Sequence, residues 1–534
     1  MSAKRCNIKI RSRKLVCMIM CLLLCLSGCR AGKVSRTSRD GDGNCCTAYE
    51  IFVGSFCDSN GDGTGDLNGI RSRLNYIADL GFDAVWLTPV HPSATYHKYD
   101  VDDYYAIDPA FGTAEDYEAL LKDCHDRGIR VYMDLVLNHT SEDNAWFRAA
   151  SDYLHELPSG WEPDTSYCRY FDYYNFSREA ADGYAKLEGT EWYYEAGFWS
   201  EMPELNLNSE AVRTEIRDIM AYWLGKGVDG FRLDAVTAYY EGDTYANAEF
   251  LRFLKETARD IDPDCYLVGE AWTDRDSIAS LYASGIDSLF DFPFANEEGI
   301  IARTLNCGCG ASDYVEGMMQ AEELYSKSNP GYTEAPFYTN HDMNRSASYY
   351  PGDSGSVIKM AYAMNLFMTG SAFVYYGEEL GMEGSGKDEN KRAPMYWSAD
   401  SQDPDMCAGP PGMDEIQMEF PPLAEQIRDK QSIYSWFKNV IRVRNTYPAI
   451  AKGVTEKAEF ICDDNVAGFF RRSAEYDDLL IVMNLRGHAV RRNISLRAKG
   501  FRLAETLSTN GEKITYRSGD LSMPAYSIAV FITH

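Results

Sequence analysis

The chain has 534 residues, of which 45% are hydrophobic and 25% charged, and its formal net charge is −29. That length exceeds what one small core organises and predicts two or three domains. The acidity argues against nucleic acid or a bare anionic membrane surface as partner and for a neutral substrate.

In chain order, Lys4, Arg5, Lys9, Arg11, Arg13 and Lys14 precede the apolar run LVCMIMCLLLCLS (15–27). Thirteen residues are short for a membrane span and suit a signal peptide. The run closes on LSGC (26–29), which resembles a bacterial lipobox. The expectation is a signal peptide over 1–28, cleavage before Cys29 and a diacylglyceryl group on its sulfur; an uncleaved anchor or an ordinary signal peptide is the alternative. Two acyl chains anchor durably where one does not, so the expected location is the outer face of the cell membrane. Residues 29–46 are nearly devoid of apolar content up to 44 and read as a tether. Loss of the leader takes the formal charge to about −35. Ten cysteines lie beyond Cys29, and an exported chain could pair some of them, with connectivity open; no matched CxxC pair supports zinc.

From residue 49 the chain repeats one unit, a β-rich apolar run followed by a helical, charged segment. The runs are 49–53, 84–89, 130–136, 230–236, 265–271, 288–294, 335–341 and 371–378. Eight such units predict an α/β fold, a (β/α)8 TIM barrel. A doubly wound open sheet competes, but no Gly-rich phosphate fingerprint opens the first unit. About 90 residues separate the third and fourth runs, too many for a structureless loop, so a small inserted domain is expected over the barrel mouth. SEAVRTEIRDIMAYWLGKG (209–227) then reads as a helix, and after 447 short alternating runs (466–472, 479–485, 526–532) predict an antiparallel β-sandwich. The expected layout is barrel over 47–139 and 209–447, inserted domain over 140–208 and sandwich over 448–534.

Polar residues collect near the ends of these runs, where barrels keep their active sites. Asp134, Asn138 and His139 end the third, Arg232 and Asp234 sit in the fourth, Glu270 in the fifth, and His341 with Asp342 at the seventh. Arg232 and Asp234 alternate with Phe231 and Leu233, so a cation and an anion share one face. Burying both is costly unless they pair or do chemistry. Two facing carboxyls are what glycoside hydrolysis needs, one as acid and one as nucleophile or base. Metal hydrolysis is the chemical rival, but 8 histidines without an HxH pair do not support it. In DSNGDGTGD (58–66), Asp58, Asn60, Asp62 and Asp66 alternate and can converge on a hard cation. Position twelve of that loop is Gly69, not the bidentate Glu of an EF-hand, and a solvated acidic turn is the alternative.

DLVLNH (134–139), GFRLD (230–234), VGEAW (268–272) and FYTNHD (337–342) resemble, in order and spacing, the four signature regions of the α-amylase family, glycoside hydrolase family 13. GFDAVWLTP (81–89), YDVDDYYAIDPAFGT (99–113), MPELNLN (202–208) and GSAFVYYGEELGM (370–382) support the match. DSNGDGTGD, MPELNLN and KRAPMYWS (391–398) look most like the branch between oligo-1,6-glucosidases and neopullulanases, which contains lipoprotein α-amylases. The resemblance implies Asp234 as nucleophile, Glu270 as general acid then base, and Asp342 as a holder of substrate hydroxyls. It implies that Arg232 orients Asp234, that His139 and His341 bind the reacting glucose, that Tyr99 stacks under its ring, and that Asp100 and Arg392 are further contacts. It also implies a calcium ion at the loop of Asp58, Asn60, Asp62, Thr64 and Asp66. Such an enzyme, acting as a monomer, would cut internal α-1,4 bonds of starch or maltodextrins with retention, Glu270 having a raised pKa while Asp234 stays charged. An α-glucosidase or 4-α-glucanotransferase would use identical chemistry, and a catalytically silent glycan-binding protein is a third possibility. Two departures stand out: Thr237 and Ala238 occupy places where many relatives carry Lys and His, and Lys98 stands where glycine is usual, where it could narrow the mouth beside Tyr99.

Overall fold

The computed structural model describes residues 45–400, 402–495 and 498–533; the expected signal peptide, Cys29 and the tether up to residue 44 lie outside them. Seven of the eight predicted runs form one parallel sheet. Its strands are β1 (Thr47–Ile51), β2 (Ala84–Leu87), β3 (Arg130–Leu135), β4 (Gly230–Leu233), β5 (Tyr266–Gly269), β6 (Ser288–Leu289) and β7 (Ala372–Tyr375), in spatial order β7-β1-β2-β3-β4-β5-β6. The eighth stave, 335–341, makes one isolated parallel bridge, Phe290 to Ala335. It still closes the barrel: Asp291 N–H donates to the Ala335 carbonyl at 3.2 Å on one side, while Ser371 and Phe373 N–H donate to the Glu334 and Pro336 carbonyls at 2.8 and 2.9 Å on the other. The physical reason for its irregularity is Pro336, which has no N–H to give a ladder. Pro293 likewise turns the end of the sixth run into a 3₁₀ segment, Phe292–Phe294, and leaves β6 two residues long.

The barrel interior is filled by a cluster of its own, in which Ala48, Ala84 and Ala335 make room for Trp86, Tyr132, Tyr266, Phe290 and Phe373. A barrel so filled is a packed core, not a pore, and chemistry is confined to the strand ends. The outward faces, including Phe231 and Leu233, bury against helices. Helix α1 (Glu210–Lys226) illustrates how the sequence builds that layer. Ser209 caps it by accepting from the Ala211 and Val212 amides, and Gly227, at φ 104°, ends it in the left-handed region. Val212, Ile216, Ile219, Met220 and Trp223 fall on one buried stripe, each worth about 1.5–3 kcal/mol of burial.

Between β3 and α1 the chain forms a helix (Ala145–Glu156) and a three-stranded antiparallel sheet of Phe176–Ser177, Tyr193–Glu195 and Tyr184–Lys186. Two bridges, His139 to Glu204 and Tyr174 to Leu205, return it to the end of β3. After the barrel, a five-stranded antiparallel sheet, 454–457, 466–472, 479–484, 527–533 and 501–508 in spatial order, faces a three-stranded one, 490–493, 520–523 and 515–517. Leu480, Val482, Ala529 and Phe531 of the first share a core with Val490, Leu521 and Met523 of the second.

Candidate active site

Arg232 is fully buried on β4 and points into the barrel, where its guanidinium serves three carboxylates. Nη1 donates to Asp134 Oδ1 at 2.9 Å and to Asp234 Oδ1 at 2.7 Å, and Nη2 lies 2.8 Å from Glu270 Oε2. The indole of Trp86 lies under the guanidinium at 5.1 Å. Both Asp234 and Glu270 pair with the same planar group, which holds the two carboxyls side by side at its edge.

Asp234 sits one residue past β4, and Ala235 after it has φ 44°, a left-handed conformation that costs a non-glycine residue about 1–2 kcal/mol. That turn aims the Ala235 N–H at Glu270 Oε2, 3.1 Å away. On the far side, His341 is held from both ends: Nδ1 meets Glu50 Oε1 at 2.7 Å, and Nε2 meets Asp342 Oδ2 at 3.0 Å and the Tyr99 hydroxyl at 2.7 Å. Arg392 donates to Asp342 Oδ1 at 2.6 Å and to the Tyr96 hydroxyl at 2.7 Å.

These environments set the charges. Burial pushes Asp234 up to about 6 against the pull of Arg232, with Asp134 and Asp342 adding to the rise. Burial also raises Glu270, opposed by Arg232 and reinforced by Asp234 and Asp342. The Glu270 shift has the expected direction; Asp234 is raised as well, because both carboxyls are out of water, and at about 6 it still lies below neutral pH. Burial works on Asp342 too, but His341 and Arg392 outweigh it and hold this carboxyl well below the usual range. Burial alone would lower His341, yet Asp342 and Glu50 lift it to about 9, so it is an imidazolium at neutral pH. His139 is the opposite case: burial lowers it to about 4, and neither ring nitrogen has a hydrogen-bond partner among the described residues. A neutral, buried, unpartnered imidazole is a group left available for a ligand.

The other predicted contacts fall as follows. Tyr99 is half-buried, stacks on His341 at 5.4 Å with an interplanar angle of 8°, and accepts from Arg232 at 3.3 Å while its hydroxyl reaches Asp134 at 3.1 Å. Asp100 commits Oδ1 to the Ser93 and Thr95 hydroxyls of its own loop. Lys98 does take the conformation that favours glycine, φ 67°, and spends its ammonium on Asp108 at 2.7 Å and on the Ser93 carbonyl at 3.0 Å. Thr237 lines a small cleft with Thr244, Thr273 and Ser277.

Glu50 and Trp86 were not singled out from the sequence. Each stands two residues along its strand from a barrel-filling alanine, Ala48 or Ala84, and so on the same inward face, where a glutamate was the available signal. Phe198, 54% exposed and packed on His139 at 5.3 Å, was legible only after folding.

The acidic loop is tightly wound. Asp58 Oδ1 accepts from the Asn60 and Gly61 amides and Oδ2 from Gly63; Asp62 accepts from Thr64; Asp66 accepts from Ser59 and caps the next helix through Gly69. Asp58 and Asp66 are buried, and neither has a cationic side-chain partner among the described residues. Hard oxygens left without a counter-charge suit calcium. No three His, Cys, Asp or Glu side chains converge as a metal cluster among the described residues, so the Asn60 amide and loop carbonyls would have to share the ion with Asp58 and Asp62.

Paired carboxyls on one guanidinium at the mouth of a closed barrel are the apparatus of glycosyl transfer, and the class is a glycoside hydrolase. Comparison gives the family. Residues 50–453 match the model of the alpha amylase catalytic domain, so the chain belongs to the alpha-amylase family. It is 36% identical over 444 residues to Alpha-amylase 3 of Dictyoglomus thermophilum, covering 82% of this chain and 84% of that one. An oligo-1,6-glucosidase of Heyndrickxia coagulans is 28% identical, with 83% of this chain and 92% of that one covered, in keeping with the intermediate branch. The solved Eubacterium rectale protein Amy13B superposes with a TM-score of 0.90 at 44% identity, covering 92% of this chain and 96% of that one.

Proposed function

We propose that the protein hydrolyses internal α-1,4-glucosidic bonds of starch or maltodextrins by double displacement with retention. The observation that carries this reading is the sharing of Arg232 by Asp234 and Glu270. The Asp234 carboxylate attacks the anomeric carbon and forms a glycosyl ester, while Glu270 gives its proton to the departing glycosidic oxygen. Glu270, now a carboxylate, takes a proton from water, whose oxygen attacks the same carbon and releases Asp234. Arg232 keeps Asp234 ionised although burial opposes it. Asp342, held charged by His341 and Arg392, accepts hydrogen bonds from ring hydroxyls, and His139 supplies a further contact. Starch, pullulan and maltotriose digests followed by chromatography test the reading: large early products from starch are expected, whereas glucose alone would replace it with an exo-acting enzyme.

The second reading, an α-glucosidase or 4-α-glucanotransferase, is favoured by the likeness to a protein named oligo-1,6-glucosidase and by Thr237 and Ala238 in place of Lys and His. Chain-lengthened products from maltotriose would select the transferase. A catalytically silent glycan-binding role fits poorly with three retained carboxyls.

We also propose that Asp58, Asn60 and Asp62, with carbonyls of the Asp58–Asp66 loop, hold a calcium ion whose task is to stiffen the turn after β1; the ion takes no part in the reaction. Calorimetry is expected to find calcium uptake that Asp62→Ala weakens by at least tenfold, and unchanged binding in that variant refutes the site. The anchor on Cys29 is likewise our inference from LSGC. Cys29→Ser is expected to move the protein out of the membrane fraction, and retention there with an unacylated N-terminus would refute lipidation.

A further inference from the structure

After β6 the barrel continues with the irregular stave 335–341. There the ladder shrinks to one isolated bridge, and two carboxyls face each other across it on the helix side. Asp291 is fully buried, and among the described residues neither of its oxygens accepts a well-formed hydrogen bond, the Tyr325 hydroxyl being the nearest donor; Glu334, also buried, leaves Oε1 unpartnered while Oε2 accepts from Thr369. Phe290 and Ala335, the bridged residues, point into the barrel, so by strand alternation Asp291 and Glu334 point outward, under helices α2 (Arg275–Tyr282) and α3 (Ala311–Ser328). Flanking the one bridged pair, the two carboxyls interact directly, and the Tyr325 hydroxyl interacts with Asp291. Two bare carboxylates so close in a dry layer repel, and buried acceptor oxygens short of donors are costly.

The surroundings do not supply two positive charges. From α2, Arg275 faces Asp291, with Nε and Nη2 buried and unpartnered and Nη1 donating to Gln320 at 3.2 Å. Tyr282 of α2 faces Glu334, as do Tyr314 and Glu322 of α3; Tyr325 of α3 faces Asp291 first and Glu334 second, and Tyr332 lies in the loop before the stave. Arg471 of the C-terminal sheet is spent on Glu322 at 3.1 Å. One arginine and two carboxyls leave one charge over.

We propose that Asp291 and Glu334 hold one proton between them and that this shared proton clasps the seam of the barrel, so that alkali loosens the stave by removing it. The O–H of one carboxyl donates to the carboxylate of the other, and Arg275 balances the remaining charge. On deprotonation the proton passes to solvent and two like charges are left across a seam with almost no ladder to resist them. Burial raises Asp291 against the pull of Arg275, and burial followed by the Asp291 charge raises Glu334 well above the carboxylate range. Folded-state values above the unfolded ones mean stability that is present in acid and lost as pH climbs through the folded values. The clasp is independent of the substrate, so its test can fail without touching the proposed reaction.

Thermal melts of the whole protein from pH 5 to pH 9 are compared for the wild type and Glu334→Gln, whose amide can donate to Asp291 at every pH. The two are expected to melt together at pH 5 and to diverge with pH, the variant ending several degrees above the wild type at pH 9. Infrared difference spectra at pH 7 are expected to show, beside the band of protonated Glu270, a second protonated-carboxyl C=O band in the wild type that is lost in Asp291→Asn and in Glu334→Gln. Parallel melting curves at all pH values, or no such band in the wild type, overturns the proposal. A melting temperature that follows added sodium or calcium in the wild type but not in Glu334→Gln overturns it in favour of a cation bound at the pair, a comparison that the proposed Asp58–Asp66 calcium loop leaves unaffected. Because Glu270 carries a proton of its own, only the part of the band lost in a variant reports the pair, and Asp291→Asn supplies both readouts if Glu334→Gln does not fold.

Discussion

Replacing Asp234 by asparagine is expected to lower kcat on starch by roughly 10⁴-fold or more, the scale seen when a covalent nucleophile is removed. The substitution keeps shape and volume at a buried position, and Arg232 retains Asp134 and Glu270 as partners. Structure should therefore survive while chemistry is lost. The direction of the stability change sharpens the test. Asp234 is raised to about 6 in the fold, so its ionisation weakens the folded state progressively as pH rises from the ordinary carboxylate range through 6. An asparagine has no charge to bury, and the variant is expected to melt no lower than the wild type above pH 6. Inactivity with an equal or higher melting temperature is what a site strained for function produces. Undiminished hydrolysis by Asp234→Asn would refute the enzymatic assignment outright.

Glu270→Gln is expected to cost about 10²–10⁴-fold on starch and far less on a substrate with an activated leaving group such as a glucosyl fluoride, because only the former needs a proton. The pH profile gives a second readout. Asp234 must be charged, so kcat/KM of the wild type should fall as pH drops below about 6; Glu270 must be protonated, so it should fall again as pH rises through that raised value. The two limbs belong to the pair coupled through Arg232 and are macroscopic constants. In Glu270→Gln, assayed with the activated substrate, the basic limb should vanish and the acidic limb remain. Loss of the acidic limb instead would exchange the two roles.

The neighbouring groups explain why both carboxyls can be buried in one mouth. Asp342 is kept ionised by an imidazolium that is itself lifted to about 9 by Glu50 and Asp342. That arrangement fixes a negative charge beside the reacting carbon before any substrate arrives, which is the preorganisation an oxocarbenium-like transition state rewards.

Much of this was legible in the residues. The period-two runs ending in Asp134, Arg232, Glu270 and His341 announced a parallel barrel with polar strand ends, and Ser209 and Gly227 marked the limits of α1. The stave at 335–341 was predicted as an equal of the others, although Pro336 already showed that it could not carry a full ladder. Lys98, a lysine at a glycine's place, was visible as an anomaly, but its pairing with Asp108 was not.

By itself the sequence determined which residues could do chemistry and on which strand ends they would stand, because side-chain alternation and turn chemistry are local. Only the tertiary structure decided that Glu50 completes the His341 pair, that Ala235 turns its N–H toward Glu270, and that Asp234 and Glu270 are raised together. Those outcomes depend on distance and on loss of water, and both come from bringing remote segments into one dry mouth, which no local pattern encodes.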